Sequence, residues 1–303
     1  MKKFYTVLLA LLLACFVSCS NGDDDTDDTP VSNSTSSTTI TDNTSSSSST
    51  TDSTTTTETT GNNGSSTTDS NNTSSTDDSN SIDNTTTTSG ASYNFATAGE
   101  NDDILAVVST LKNGDTLYIS GKMTEDDVIT LANAIKTIDE DEILINLDMS
   151  GVTNLAKIYE DENTKKDYTF SFCYALSSVI LPDSVVELGR YAFFACKSLT
   201  SITGKNVRTL DWYAFAQCKG LTEFTVPKKV TWLGRYTFQN CSNLETITIG
   251  VKVTDLGYCT FGGCDNLKTV NYEGTIEQWK AVVANGWGDL SVGTIHCSDG
   301  DYL

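Results

Sequence analysis

The sequence predicts a β-solenoid, a stack of short repeated coils, at the end of a long polar tether. Three observations predict this arrangement. A Phe-x-x-Cys motif recurs five times between residues 170 and 264, at intervals of 22 or 23 residues. Other apolar residues keep the same register in every interval, and residues 20–92 consist almost entirely of Ser, Thr, Asn, Asp and Gly.

The repeated motif defines a ladder of positions that should stack from one coil to the next. Its members are Phe170 and Cys173, Phe193 and Cys196, Phe215 and Cys218, Phe238 and Cys241, and Phe261 and Cys264. A leucine lies three residues after each cysteine, and a Val, Ile or Phe lies three residues after that leucine. Because a unit of this length is too small to bury its own apolar face, neighbouring units must stack to form a continuous core.

Each coil is predicted to contain one short strand and one sharp corner. Alternating segments rich in β-branched residues predict strands at residues 178–181, 201–203, 223–226 and 246–249. Pro182 and Pro227 follow two of these segments and should end them. A Leu-Gly pair is expected to form the corner in three coils, and Leu210-Asp211 takes its place in another.

These residues closely resemble the BspA-like leucine-rich repeats. Residues 192–202 match best, since Ala-Phe-x-x-Cys-x-x-Leu-x-x-Ile occurs there in full, and the resemblance covers roughly residues 145–297. The sequence departs from the family pattern at Asp211, at Thr237 and Thr260, and in a second repeat that is one residue short. The resemblance implies a leucine-rich-repeat β-solenoid, expected at residues 151–272. It also implies a surface-exposed protein, with adhesion to host proteins or other cells as the activity described for some members.

An α/β region at residues 93–150 is predicted to cap the N-terminal end of the solenoid. Asn101 is expected to start a first helix. The apolar face of that helix would consist of Ile104, Leu105, Val108 and Leu111. A strand at residues 116–120, a second helix after Thr124 and a strand at residues 143–149 follow. The charged insert at residues 159–168 is expected to be a surface loop.

Residues 273–303 are predicted to form a short C-terminal cap that contains one helix. Thr275 and Gln278 have the spacing of a capping box at its start. Asn285-Gly286 should end the helix, and a strand at residues 292–297 should close the stack.

The first nineteen residues predict export and lipid attachment. A basic start, Lys2-Lys3, precedes an apolar run at residues 5–17 that is too short to span a bilayer. Cys15 and Cys19 both follow small residues and resemble the acylated cysteine of bacterial lipoproteins. Cys19 is favoured because it leaves an apolar run of more normal length, and an ordinary signal peptide is the alternative. The membrane is then contacted only through the N-terminal lipid.

Residues 20–92 are predicted to form a disordered tether, because they carry too little apolar area to offset the entropy of ordering. The chain has a formal charge of −21, and twelve acidic residues lie between Asp23 and Asp83. This balance argues against a nucleic-acid partner and against docking on an anionic membrane. The acids are expected to keep the tether soluble and extended, with cation binding as the alternative.

The sequence offers little for catalysis, and no cofactor or metal ion is expected. His296 is the single histidine, and no nucleophile motif or phosphate-binding loop accompanies it. The ladder cysteines have the wrong spacing for zinc and are expected to be buried free thiols. Disulfides between adjacent coils are the alternative, as is a site near the C-terminus built from Cys259, Cys264, His296 and Cys297.

Aromatic and arginine side chains share registers just before the ladder phenylalanines, and they form the candidate binding face. Its members are Arg190, Tyr191, Trp212, Tyr213, Trp232, Arg235, Tyr236 and Tyr258. Tyr, Trp and Arg dominate the energetics of many interfaces. The tyrosines could instead pack against one another between coils. A second row, Ser178, Ser201, Thr246 and Thr269, is expected to be a solvated sheet surface.

The sequence therefore predicts a non-enzymatic, lipid-anchored binding or adhesion protein of the bacterial cell envelope, exposed at the outer-membrane surface. Its expected partner is a host protein, a glycan or another cell. The alternative is a structural component of the envelope or of a biofilm that binds other envelope proteins, and an unrecognised hydrolase is a more remote one.

Overall fold

The computed structural model describes residues 89–97, 103–161, 166–284 and 293–302. Most of the predicted tether of residues 20–92 lies outside the described residues. So do Cys15 and Cys19, the two candidates for lipid attachment. The described part contains three helices, α1 (Ile104–Val108), α2 (Glu125–Ile135) and α3 (Ile276–Val283). Its strands are β1 (Gly90–Asn94), β2 (Thr116–Gly121), β3 (Ile145–Val152), β4 (Lys157–Asp161), β5 (Lys166–Tyr168), β6 (Leu176–Ile180), β7 (Glu187–Leu188), β8 (Ser201–Thr203), β9 (Thr209–Leu210), β10 (Glu223–Thr225), β11 (Trp232–Leu233), β12 (Thr246–Ile249), β13 (Asp255–Leu256), β14 (Thr269–Tyr272), β15 (Thr294–Cys297) and β16 (Gly300–Tyr302).

The strands lie side by side along the stack in three sheets. Two five-stranded sheets have the orders β1-β2-β3-β6-β8 and β10-β12-β14-β15-β16, and a six-stranded sheet has the order β13-β11-β9-β7-β4-β5. Neighbouring repeat strands pair in parallel at separations of 22 or 23 residues, as in Ser178 opposite Ser201 and Leu188 opposite Leu210. Each coil thus adds one longer strand and one two-residue strand. The predicted repeat solenoid is confirmed.

The second strand of each coil lies where only a corner was predicted. The leucine of each corner ends a two-residue strand, β7, β9, β11 or β13, and points into the core. The following glycine allows the coils to approach closely. A Cβ atom on Gly234 would lie 2.6 Å from the backbone carbon of Asp211, and one on Gly257 would lie 2.4 Å from the backbone nitrogen of Arg235. Two residues are too few to show an alternating pattern, so the sequence alone did not indicate these strands.

The five ladder phenylalanines form a continuous stack of rings in the core. Phe170, Phe193, Phe215 and Phe238 have no solvent exposure, and Phe261 is 6% exposed. Successive ring centroids are 5.5, 5.8, 5.6 and 5.7 Å apart, and the ring planes agree within 13°. Contacts of this kind contribute about 0.5–1.5 kcal/mol each beyond the area that they bury.

The ladder cysteines connect each coil to the one before it. The thiol of Cys196 lies 3.0 Å from the carbonyl oxygen of Phe170 and donates to it. The same bond repeats for Cys218, Cys241 and Cys264, at 3.1, 3.1 and 3.0 Å from the carbonyls of Phe193, Phe215 and Phe238. All five ladder cysteines are buried free thiols, so no disulfide joins one ladder cysteine to another.

Two positions of the repeat adopt a left-handed backbone conformation, which is uncommon outside glycine, the first in four coils and the second in all five. The first lies two residues before the phenylalanine and is occupied by Tyr191, Tyr213, Tyr236 and Cys259, with φ between 48° and 60°. The second lies directly before the cysteine and is occupied by Phe172, Ala195, Gln217, Asn240 and Gly263, with φ between 57° and 72°. Each non-glycine residue in this conformation costs roughly 1 kcal/mol. Hydrogen bonds to the next coil offset this cost, since the backbone N–H of Gln217 donates to the carbonyl of Gln239 at 2.7 Å.

The short second repeat lacks one residue in the turn after β8. In other coils the long strand ends at, or is directly followed by, a buried apolar residue. These residues are Leu181, Val226 and Ile249. In the short repeat Gly204 occupies this turn, and its neighbourhood is filled by Leu181 and Val207. The ladder of long strands is interrupted at this point, between β8 and β10.

The N-terminal α/β segment continues the first sheet of the stack. β1 begins at Gly90, three residues inside the predicted tether, and pairs in parallel with β2. α2 begins after Thr124, as predicted, and its first turn contains a capping box that Asp127 completes. α1 differs from the prediction because its N-cap is Asp103, which accepts from the backbone N–H of Leu105, whereas Asn101 lies outside the described residues.

The apolar face predicted for α1 is partly wrong. Ile104 and Val108 are buried, but Leu105 is 44% exposed, because residues four apart share a helix face and adjacent ones do not. Leu111 is buried beyond the end of this five-residue helix. The charged insert is also not a plain loop. β4 and β5 form an antiparallel hairpin whose first strand joins the sheet of two-residue strands.

The C-terminal segment ends the described stack. α3 begins at the capping box of Thr275 and Gln278, and Trp279 packs in the core against Tyr272 with ring centroids 5.2 Å apart. β15 adds to the sheet in parallel and β16 then reverses direction. The predicted helix end at Asn285-Gly286 lies outside the described residues.

The left-handed position before each cysteine can be tested at Gln217. We expect the variant Gln217→Gly to be more stable than Gln217→Ala by about 1 kcal/mol, because only glycine adopts this conformation without steric cost. Both variants remove the same side-chain contacts, so their difference isolates the backbone. Urea unfolding monitored by circular dichroism measures it.

Lys219 supplies the matched control, since it is exposed in the same coil without a positive φ. There the order should reverse, with the glycine variant less stable than the alanine variant. Equal stabilities of the two variants at position 217 would contradict the proposed strain.

Candidate ligand-binding face

The candidate face is built from side chains that directly follow the two-residue strands. Each coil turns after its Leu-Gly or Leu-Asp pair and then presents Arg190, Trp212, Arg235 or Tyr258 in one shared register. The guanidinium carbon of Arg190 lies 4.1 Å from the ring centroid of Trp212, and that of Arg235 lies 5.1 Å from it. Arg190 from the preceding coil and Arg235 from the following coil therefore sandwich the indole of Trp212. Each such cation–π contact is worth about 0.5–1 kcal/mol at an exposed site.

The neighbouring tyrosines form a second row parallel to the first. Tyr191 and Tyr213 stack with centroids 5.1 Å apart and planes 5° apart, and Tyr213 and Tyr236 stack at 4.7 Å and 9°. All three are half-buried. The alternative that these tyrosines pack against one another is thus realised, although their ring edges still contact solvent.

A small apolar cluster, separate from the main core, supports the tyrosine row. Its buried members are Phe194, Ala195 and Ala216, and Tyr191 and Tyr213 pack against it. Phe194 meets Tyr191 edge to face at a centroid distance of 5.5 Å. The face therefore rests on packed side chains, which reduces the conformational entropy that a ligand would have to remove.

The structure brings Tyr258 into the face but leaves Trp232 apart. Tyr258 contacts Tyr236 edge to face at 5.5 Å and so joins the two rows at their C-terminal end. Trp232 lies on β11 opposite Asp255 and is half-buried. Within the described residues, neither a ring contact nor a cation–π contact joins Trp232 to Trp212 or Arg235.

A groove that sequence reasoning missed lies at the N-terminal end of the face. It has a cavity volume of about 250 Å³. Its lining consists of Tyr159, Glu160, Asp161, Glu187, Gly189, Arg190 and Asp211. The departure of Asp211 from the Leu-Gly pattern was the available signal, since this carboxylate lines a wall that a glycine would have left bare.

Burial raises the pKa of Asp211, and the nearby Glu187 carboxylate acts in the same direction. The backbone N–H of Trp212, which donates to Asp211 Oδ1 at 2.7 Å, and the Arg190 guanidinium oppose this shift. The upward shift shows that desolvation outweighs both partners. The groove is therefore acidic and lies next to the Arg190–Trp212 contact, and the Asp211 carboxyl in it is partly shielded from water.

The ladder cysteines are buried in the core and are chemically quiet. Burial raises the pKa of the Cys173 thiol to about 12 and raises the pKa values of Cys196, Cys218 and Cys241 well above the ordinary value. The alternative metal site near the C-terminus finds no support, because no group of three or more His, Cys, Asp or Glu residues in the described ranges could hold a metal ion.

The remaining candidates lie on other surfaces. Ser178, Ser201, Thr246 and Thr269 project from the long strands, where Ser178 bonds to Asn146 at 2.6 Å. His296 is exposed on β15, with Nδ1 2.7 Å from Asp301 Oδ1.

None of the helices among the described residues is long and apolar enough to cross a membrane.

Comparison with protein families assigns the repeats. Residues 163–283 match the model of the BspA type leucine rich repeat region in six copies, one more than the five Phe-x-x-Cys motifs indicate. This part of the chain is a BspA-type leucine-rich repeat region. Comparison with curated proteins gives no significant match.

Three solved structures are similar over part of the chain. A leucine rich cell surface protein from Faecalibacterium prausnitzii is 29% identical over 45% of this chain and 34% of its own, with a TM-score of 0.39. A leucine rich repeat protein from T. pallidum is 25% identical over 42% and 58%, with a TM-score of 0.38. One from Bacteroides ovatus is 21% identical over 56% and 38%, with a TM-score of 0.35. The chain spans less than two thirds of each of these proteins.

The raised pKa of Asp211 predicts a pH-dependent stability difference between the wild type and Asp211→Asn. A carboxyl whose pKa is higher in the folded state favours folding only while it is protonated, so the wild type loses stability as pH rises through that folded pKa. The amide stays neutral and keeps an oxygen for the Trp212 N–H. We therefore expect Asp211→Asn to unfold at a higher temperature than the wild type at pH 7. The two should converge below pH 4, and a constant difference across the pH range would contradict this account.

The buried thiols predict a labelling pattern. Iodoacetamide at pH 8 should leave Cys173, Cys196, Cys218 and Cys241 unmodified in the folded protein, because the thiolate is the nucleophile and these groups are both protonated and inaccessible. Half-buried Cys297 is the internal control and should react faster. All of them should react after denaturation. Peptide mapping by mass spectrometry measures each site, and rapid native labelling of Cys218 would show that the stack opens.

Proposed function

We propose that this protein is a non-enzymatic recognition protein of the bacterial cell envelope, held by a lipid on Cys19. The tether of residues 20–92 would carry the repeats away from the membrane. As a flexible chain its r.m.s. reach is roughly 45–50 Å. The α/β segment and the α3 segment would cap the two ends of the solenoid, because each end of a repeat stack exposes apolar surface.

One observation carries the proposal for the binding site. Trp212 is half-exposed and sandwiched between the guanidinium groups of Arg190 and Arg235, beside a row of stacked tyrosines. These are the residue types that supply most hot spots of protein interfaces. Because the side chains are already held by stacking, binding orders few additional rotamers.

The geometry favours a protein partner over a neutral sugar at this face. Tyr213 has Tyr191 on one ring face and Tyr236 on the other, so its ring presents an edge to solvent rather than a flat surface for a sugar. Guanidinium groups bind carboxylates well. An acidic segment or surface of a host or cell-surface protein is therefore the best-matched partner.

The variant Trp212→Ala tests this face. We expect it to weaken binding to the captured partner at least about tenfold, which corresponds to the loss of one hot-spot residue of about 1.4 kcal/mol or more. Partners would first be selected from immobilised host matrix proteins by surface plasmon resonance with the mature chain. Arg190→Gln combined with Arg235→Gln should also weaken binding and reduce its sensitivity to salt.

Tyr118→Ala is the matched control, because Tyr118 is an exposed aromatic residue on β2, outside the repeats. It should bind like the wild type. Unchanged binding by Trp212→Ala, with thermal unfolding like that of the control, would refute the face. Self-association of the wild type in place of partner binding would instead favour the structural envelope role.

A further inference from the structure

A ridge of cationic side chains crosses three neighbouring coils at the turn between the long and the short strand. We call this surface the basic ridge. Its members are Lys205 and Arg208 in one coil, Lys228 and Lys229 in the next, and Lys252 in the third, and all five are exposed. A positive surface of this density is unexpected on a chain with a formal charge of −21.

Hydrogen bonds between the turns hold the basic ridge in register. Asn206 donates from Nδ2 to the carbonyl of Asp183 at 2.7 Å, and Lys229 donates from Nζ to Asn206 Oδ1 at 2.6 Å. One coil further, the backbone N–H of Thr254 donates to the carbonyl of Thr231 at 2.9 Å. The turns therefore repeat at the spacing of the strands that they connect, which is about 4.8 Å.

Three members of the basic ridge lack the acidic partners that several other lysines of the solenoid have. Lys157, Lys197 and Lys268 form ion pairs with Glu187, Glu140 and Glu245. In contrast, Arg208, Lys228 and Lys252 form no ion pair with any described residue. Among the described residues, acidic side chains lie near the two ends of the row. Asp183 contacts Lys205 at 3.2 Å through an exposed pair, and the carboxylate of Glu273 lies by Gly250.

We propose that the basic ridge binds an anionic polysaccharide through its sulfate or carboxylate groups. Cations that recur about every 4.8 Å along the stack match the advance of successive sugar rings in an extended chain. Three coils would then hold roughly three consecutive charged sugars. This site is separate from the Arg190–Trp212–Arg235 face and does not depend on the function proposed for it.

The shape of the charge distribution favours a thin polyanion over a membrane. The cations form a narrow line along one corner, whereas other described surfaces of these coils carry exposed acids such as Glu223 and Glu245. A flat anionic bilayer would approach those acids together with the ridge, whereas a single chain contacts only the ridge. Single-stranded nucleic acid fits poorly as well, because the ridge carries no aromatic side chain on which bases could stack.

Binding of the mature full-length chain to heparin tests the proposal, with neutral dextran as the comparison polysaccharide. We expect heparin to bind, dextran not to bind, and heparin affinity to fall as NaCl rises from 50 to 300 mM, because the exposed charges are screened. The triple variant Lys228→Gln, Lys229→Gln, Lys252→Gln should weaken heparin binding about tenfold, a few-fold for each lost exposed ion pair.

The matched control removes the same charge at other exposed lysines, through Lys112→Gln, Lys122→Gln and Lys219→Gln. This variant should bind heparin within about twofold of the wild type, as should Trp212→Ala. Equal losses in both triple variants would overturn the site, because binding would then follow net charge alone. Tighter ridge-dependent binding to phosphatidylglycerol vesicles, or displacement of heparin by a peptide of residues 22–85, would overturn the polysaccharide in favour of a lipid surface or the chain's own tether.

Discussion

Stacking of the ladder phenylalanines is the contact on which the rest of the structure depends. The Phe rings fix both the distance and the rotation between successive coils, with planes that agree within 13°. Every other position in a coil must therefore lie over its counterpart in the next. The surface rows inherit this order. Trp212 meets both Arg190 and Arg235 because the core beneath these residues repeats, and the turns of the basic ridge align for the same reason.

The repeat also explains why the chain tolerates strained backbone at regular intervals. Left-handed residues such as Tyr213 and Gln217 let the backbone fold back sharply while their N–H groups point towards the following coil. The thiol of Cys218 meanwhile reaches the Phe193 carbonyl in the preceding coil. Each coil is thus bonded in both directions, and few of its buried polar groups lack a partner. A cysteine suits this position because it is small, apolar and still able to donate weakly.

Periodicity made the core predictable, and its absence explains what was missed. Phe, Cys and Leu recur at fixed spacing, so the stack follows from the sequence. The two-residue strands and the β4–β5 hairpin carry no period, since pairing with neighbours rather than local propensity defines them. The groove beside Asp211 combines residues from two coils and a hairpin, which no local pattern reports. The shared register predicted the candidate face, but only the structure shows that Trp232 stands apart from Trp212.

Because each coil presents one surface to the coil before it and the complementary surface to the coil after it, the unit is interchangeable along the stack. Duplication or loss of 23 residues in the middle of the repeats leaves every remaining carbonyl and N–H with an equivalent neighbour. Such a change lengthens or shortens the outer surface by about 4.8 Å without disturbing the ends. Contacts also stay about 23 residues apart in the chain whatever the number of coils. The length of the displayed surface can therefore vary between related proteins without a new fold or a slower search for it.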